Sequence, residues 1–67
     1  MIDPITHSPA QIRLIQPYQA TKSYLCPGCN TEIAPRTAHF VVVPFDNVEL
    51  RRHWHRRCLE WETRHGR

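Results

Sequence analysis

The sequence of 67 residues has no long hydrophobic run, only two glycines and only three cysteines. Its longest apolar stretch, residues 40–43, is far shorter than the roughly 20 residues that a membrane-spanning helix needs. No Gly-x-x-x-x-Gly-Lys-Ser/Thr loop, which would cradle nucleotide phosphates, occurs in the chain. These absences argue against a membrane protein and against a phosphate-binding loop of this type.

The amino-terminal residues 1–9 also lack the basic region and the apolar run of a secretory signal peptide. We therefore expect a cytoplasmic protein, in which disulfides are rare. Three cysteines cannot all pair within one chain in any case. A single domain of this size has a marginal hydrophobic core, so we expect a bound metal ion to supply the missing stability.

The net charge of +3 is distributed unevenly. Residues 1–50 carry a net charge of −1, whereas residues 51–67 carry +4. Arginine accounts for all of the Lys+Arg total except Lys22. The carboxyl-terminal quarter of the chain is therefore a basic element.

The composition divides the chain into an extended arm at residues 1–17 and a domain at residues 18–67. The arm contains three prolines and too little apolar surface to offset the entropy of ordering it alone. Its one alternating segment places Ile12 and Leu14 on the same face of a strand. This strand could add to a sheet edge of the same chain or of a partner.

The domain shows three local patterns in order. Residues 24–30 read as a tight turn, because Pro27 presets one backbone angle and Gly28 and Asn30 tolerate positive φ. Residues 38–43 and 48–54 alternate as the strands of a β-hairpin. Residues 55–65 have the apolar stripe of a helix, ended by Gly66. The predicted core consists of Phe40, Val42, Val48, Leu50, Trp54 and Trp61.

Two pairs of potential metal ligands fall on two of these elements. Cys26 and Cys29 lie in the turn, and His55 and Cys58 lie at the start of the helix. Tetrahedral zinc commonly takes two thiolates from one turn and two further ligands from a second element. We predict one structural Zn²⁺ held by these four residues. His53 and His39 remain alternative histidine ligands, and the cysteine pair alone could instead be redox-active.

This order of turn, hairpin and helix, with the last two ligands in the first helical turn, resembles the treble-clef zinc fingers. The segment Trp-His-Arg-Arg-Cys-Leu at residues 54–59 is similar to the end of the first half of LIM domains and to the His-x-x-Cys of PARP-type fingers. Residues 18–61 further resemble short uncharacterised actinobacterial proteins. The resemblance implies a small α+β, metal-stapled domain and no particular activity.

Two departures limit that resemblance. The second zinc module of LIM domains is absent from this sequence. The catalytic residues of treble-clef HNH nucleases have only His53 and Asn47 as loose counterparts. We therefore expect no enzymatic activity and no small-molecule substrate, because four protein ligands leave a zinc ion no open position.

The basic carboxyl-terminal element suggests the partner. Arginine's planar fork suits bidentate contacts with phosphate. We expect a nucleic acid, RNA or a ribonucleoprotein such as the ribosome, with a zinc-dependent protein adaptor as the alternative function. The predicted contact residues are Arg51, Arg52, Arg56, Arg57 and Arg64.

Overall fold

A computed structural model describes residues 1–65 of the chain. Its elements are five strands followed by one helix, which confirms the predicted α+β class. The strands are β1 (Ala10–Ile15), β2 (Tyr24–Leu25), β3 (Glu32–Ile33), β4 (His39–Pro44) and β5 (Arg52–Trp54), and helix α1 spans Arg56–His65. None of the described helices has the length and apolarity that crossing a membrane requires. The predicted helix end at Gly66 lies outside the described residues.

The larger sheet has the strand order β1-β4-β5, with both pairs antiparallel. Strands β4 and β5 form the predicted hairpin, but its second strand is shorter than predicted. Residues Val48–Leu50 form a 3-10 turn instead, in which the Asn47 side chain accepts a hydrogen bond from the Glu49 backbone N–H at 3.2 Å. This local bond offers the backbone an alternative to the sheet.

The alternating segment of the arm lies in the sheet of its own chain. Strand β1 pairs with β4 over its whole length, with Ile12 opposite Val42. Before it, the buried Asp3 carboxylate accepts hydrogen bonds from the backbone N–H groups of Ile5 and Thr6 at 2.7 and 3.1 Å. The arm therefore contributes an edge strand and a capped turn, while the proposed boundary at residue 17 stays a prediction.

The smaller sheet is the short hairpin β2–β3, which pairs Leu25 with Glu32. The loop of this hairpin contains the first two cysteines. It is closed by hydrogen bonds from the Asn30 N–H to the Cys26 carbonyl at 2.8 Å and from the Cys26 N–H to the Thr31 carbonyl at 3.0 Å. Asn30 has a φ of 57°, as the turn chemistry predicts. We call residues 26–30 the knuckle.

The hydrophobic core lies where the knuckle hairpin, the larger sheet and helix α1 meet. Its members are Ala10, Cys26, Ile33, Val42, Trp54 and Leu59, with Phe40 packed against them. The predictions for Val48, Leu50 and Trp61 are wrong, since all three side chains are exposed. Two of them lie in the 3-10 turn, and the indole of Trp61 stacks on His65 at the helix surface instead.

Candidate metal centre

The structure brings the four predicted ligands together in one cluster. The ligand atoms of Cys26, Cys29, His55 and Cys58 all lie within 4.8 Å of one another. Within the cluster, Cys26 is buried, His55 and Cys58 are partly buried, and Cys29 is exposed. Because Cys26 also belongs to the hydrophobic core, the cluster joins the knuckle directly to the packing of the domain.

The spacing within this cluster is that of ligands around one ion. The Nδ1 atom of His55 lies 3.3 Å from the Cys29 sulfur and 3.9 Å from the Cys58 sulfur. A tetrahedral ion with bonds of about 2.0–2.3 Å separates its ligand atoms by roughly 3.5–3.8 Å. The side chains present can therefore hold one metal ion with three sulfur ligands and one nitrogen ligand.

Local structure aims both ligand pairs at this point. On the knuckle, the bonds that close residues 26–30 direct Cys26 and Cys29 to the same side. At the other element, the His55 carbonyl accepts the first hydrogen bond of helix α1, from the Leu59 N–H at 3.0 Å. His55 and Cys58 thus occupy the first turn of the helix, where residues three apart lie on one face.

Gly28 allows the knuckle to approach the helix closely. A Cβ atom at this position would lie 2.9 Å from the Cβ of Cys58 and 3.1 Å from Cζ3 of Trp54. Carbon atoms prefer separations of about 3.5–4.0 Å. Only glycine therefore fits between the knuckle, the indole and the first turn of the helix without displacing one of them.

The thiol groups of the cluster differ in their electrostatics. Hydrogen bonds from the Thr31 side chain and backbone lower the pKa of Cys29 to about 6, and the Thr31 hydroxyl lies 2.9 Å from the Cys29 sulfur. Burial and the neighbouring thiols raise the pKa of Cys58 to about 12. Such opposite shifts are expected where several sulfur atoms compete for negative charge, and a cation among them would favour all the thiolates.

A backbone group supports the buried sulfur. The His55 N–H lies 3.4 Å from the Cys26 sulfur and points toward it as a hydrogen-bond donor. Donors of this kind stabilise thiolate charge and orient a ligating sulfur. The donor set, its spacing and its hydrogen bonds thus all fit a metal site.

The alternative histidines take part in a separate cluster. His39 is fully buried, and its Nδ1 atom lies 2.9 Å from the Thr37 carbonyl oxygen. The carbonyl can only accept, so this nitrogen carries a proton and leaves Nε2 to accept from the Nδ1–H of His53 at 2.8 Å. The ring of His53 also stacks on Tyr24, with centroids 3.5 Å apart. Neither histidine belongs to the cluster of metal ligands.

The predicted contact arginines are exposed and surround the knuckle on different sides. Arg51 and Arg52 line a cleft with Pro27 and Asn30. Arg56 and Arg57 line the cleft over Cys29 and Thr31, and Arg57 and Arg64 line a third beside Gly28. The guanidinium of Arg56 also lies over the ring of Phe40, 5.7 Å from its centroid.

Sequence reasoning missed several residues that shape this region. Thr31 lies in the connection between the predicted turn and the predicted hairpin, and its position two residues after Cys29 suits a hydrogen bond to the sulfur. Ile33 in the same connection is fully buried. The contact between His39 and His53 had no signal in the sequence, because it depends on the register that places His53 opposite Val41.

Fold and site together define a small α+β domain with a Cys₃His cluster that can hold a metal ion. A family model described as "Rv1322 family protein" matches residues 5–62, and the chain therefore belongs to the Rv1322 family. This agrees with the resemblance to uncharacterised actinobacterial proteins.

Curated relatives of the chain include the uncharacterized protein Rv1322 of Mycobacterium tuberculosis strain H37Rv and the uncharacterized protein Mb1356 of Mycobacterium bovis. Each is 45% identical over 58 residues, a match that covers 81% of this chain and 57% of the relative. The chain thus spans little more than half the length of these relatives. No solved structure matches the chain.

Proposed function

We propose that this chain is a zinc-binding module without enzymatic activity that binds nucleic acid, RNA or a ribonucleoprotein, through arginines arranged around its metal centre. The observation that carries the proposal is the position of the knuckle. It supplies two of the four metal ligands and also borders three clefts lined by the arginines. The metal would thus fix the surface on which the cations are arranged.

Zinc is the metal that the donor set favours. Three thiolates and one imidazole in tetrahedral spacing are typical of structural zinc sites. Four protein ligands complete the coordination, which argues for a structural ion and against catalysis. The site joins the knuckle to helix α1, and the hairpin β4–β5 lies between them in the chain. This arrangement supports the assignment to the treble-clef group, and reduced thiol ligands suit a cytoplasmic location.

Electrostatics supports a phosphate-bearing partner. Residues 51–67 carry a net charge of +4, and the five arginines are all exposed. Arg51 donates from Nη1 to the Val48 carbonyl at 3.1 Å, which holds its guanidinium at the end of the 3-10 turn. Arginine side chains displayed on rigid elements can neutralise phosphates and release their counterions.

A protein adaptor is the second candidate, and it has its own observation. Phe45 at the tip of the β4–β5 connection is 66% exposed. Tyr18 is 80% exposed as well. Exposed aromatic side chains are enriched in protein interfaces, and these two would anchor a protein partner.

The metal is tested first by measuring zinc per chain and far-ultraviolet circular dichroism before and after chelation. We expect one zinc per chain, lost together with the folded spectrum, because binding free energies of about 10–16 kcal/mol at such sites are also folding free energy. His55→Ala should lose the zinc, whereas the matched variant His53→Ala should keep it. A folded, metal-free wild-type chain would refute the zinc proposal.

The partner class is tested by the salt dependence of RNA binding. Each phosphate contact should contribute a slope of about 0.7 in log affinity against log salt for single strands. Replacing Arg56 and Arg57 by alanine should reduce this slope, and the control Arg13→Ala on strand β1 should leave it unchanged. Binding whose affinity depends neither on salt nor on these arginines, but which is lost in Phe45→Ala, would favour the protein adaptor.

A further inference from the structure

Trp61 is an exposed aromatic side chain that stacks on a neighbouring imidazole. It is 48% exposed, although its helical spacing predicted a place in the core. Its ring stacks on the imidazole of His65, with centroids 4.2 Å apart and an angle of 20° between the planes. The Nδ1–H of His65 donates to the Trp61 carbonyl at 2.9 Å, which holds the imidazole in place. The indole is therefore presented to solvent while it rests on the imidazole of His65.

The indole lies in a cleft between two of the proposed contact arginines. Arg57 and Arg64 line the cleft together with Trp61. They precede and follow it by four and three residues, so all three lie on one side of helix α1. The cleft has a volume of about 390 Å³, within the range of about 300–1,000 Å³ that small-molecule sites occupy.

The charges of this cleft favour a base over a phosphate as its occupant. Glu60 and Glu62 line it as well, so two carboxylates offset the two guanidinium groups. The clefts of Arg51, Arg52 and Arg56 contain fewer carboxylates and suit phosphate better. Aromatic rings beside a cationic surface are how proteins bind single-stranded nucleic acid, with each base stacked on a ring.

We infer that Trp61 is a stacking platform for an unpaired nucleobase, with the flanking phosphates held by Arg56 and Arg57 of the adjoining cleft. The ligand class is a single-stranded nucleic acid, because the base of a duplex is not free to stack on a side chain; the proposed function makes it RNA. This inference rests on the proposed function and adds to it the residue that distinguishes a base from a bare phosphate chain.

The experiment compares two polyanions, a short single-stranded oligoadenylate and inorganic polyphosphate of similar length, on the zinc-loaded chain. Oligoadenylate should quench tryptophan fluorescence, and polyphosphate should bind without quenching. The variant Trp61→Phe isolates the signal of the buried Trp54, which should not respond to either polyanion. Wild-type quenching needs no variant and thus keeps the test valid if a substitution disturbs folding.

Affinity supplies the second readout. Stacking contributes about 1–3 kcal/mol per base, so Trp61→Ala should weaken oligoadenylate binding by about 5- to 150-fold. Its affinity for polyphosphate should change less than about twofold, since the arginines remain. Trp61→Phe, which keeps a ring, should retain most of the affinity for oligoadenylate.

The possible failures are distinguishable. Both polyanions could bind through the arginines without quenching of Trp61 fluorescence and without loss of affinity in Trp61→Ala. In that case the stacking inference is wrong and the proposed function stands. If neither polyanion binds, the proposed function fails, and the inference fails with it. Self-association that Trp61→Ala abolishes, seen by sedimentation, would assign the exposed ring to a second copy of the chain and also overturn the inference.

Discussion

Replacing Gly28 by alanine tests whether the knuckle packs as tightly on helix α1 as the structure indicates. Gly28 has no positive φ, so alanine meets no backbone strain there. By itself, this change would stabilise the chain by about 0.4–1 kcal/mol, because it restricts the unfolded state. The added methyl, however, would lie 2.9 Å from the Cβ of Cys58.

The steric effect should prevail over the entropic one. Reaching a normal carbon contact requires a shift of at least about 0.6 Å, and the second neighbour, Trp54, is buried and cannot yield. Overpacking of this kind costs about 1–3 kcal/mol. The expected net loss is therefore about 0.5–2 kcal/mol in the free energy of unfolding. Zinc affinity should fall as well, because ligand distances tolerate errors of only about 0.2 Å.

The assay is urea unfolding of the zinc-loaded chain, with chelator competition for the metal affinity. Gly28→Ala should lower the urea midpoint without changing the slope of the transition. Ser23→Ala, at an exposed position before the knuckle, is the control and should change neither quantity. An unchanged midpoint together with unchanged zinc affinity for Gly28→Ala would refute the close packing of knuckle and helix.

Three further substitutions test other parts of the structure. Asp3→Ala should lower the free energy of unfolding by about 1–2 kcal/mol, because two backbone N–H groups lose their acceptor. Asp46→Ala, at an exposed position, is the control. Equal effects of the two substitutions in urea unfolding would contradict the buried turn. Arg36→Gly should raise the free energy of unfolding by about 0.5 kcal/mol. Arg36 has a φ of 63°, and relief of about 1–2 kcal/mol of backbone strain exceeds the entropy cost of glycine. A lowered urea midpoint would be evidence against that strain. Burial lowers the pKa of His53 from 6.5 to about 4, so the folded chain binds fewer protons than the unfolded chain and loses stability as the pH falls from 6.5 toward 4. His53→Phe should make the thermal midpoint less dependent on pH over this range, and a slope equal to that of the wild type would count against the shift.

Much of the fold could be predicted from local pattern. The hairpin, the helix and the turn that holds two cysteines each depend on residues close together in the chain. The wrong predictions are those where a local hydrogen bond competes with the predicted element, or where packing determines whether a side chain is buried. Asn47 begins a 3-10 turn in place of the predicted strand start. Trp61 has the spacing of a core residue, but its ring stacks on His65 at the helix surface.

The choice of histidine shows the limit of spacing arguments most clearly. His53 and His55 are two residues apart, and both suit zinc by type. Pairing of β5 with β4 places His53 opposite Val41, where its Nδ1 meets the buried His39. The strand ends before His55, whose side chain is then directed by the first turn of the helix toward the cysteines. The register between β4 and β5 made that distinction.

Ligand spacing, residue periodicity and charge are properties of neighbouring residues, so they were enough to predict the Cys₃His cluster, the α+β class and the basic carboxyl-terminal element. The folded structure was needed to show that β1 completes the sheet of its own chain, that His39 and His53 form a separate pair, and that Trp61 remains exposed beside arginines. Each of these depends on which surfaces meet after folding, and contacts between distant segments leave no pattern in the local sequence.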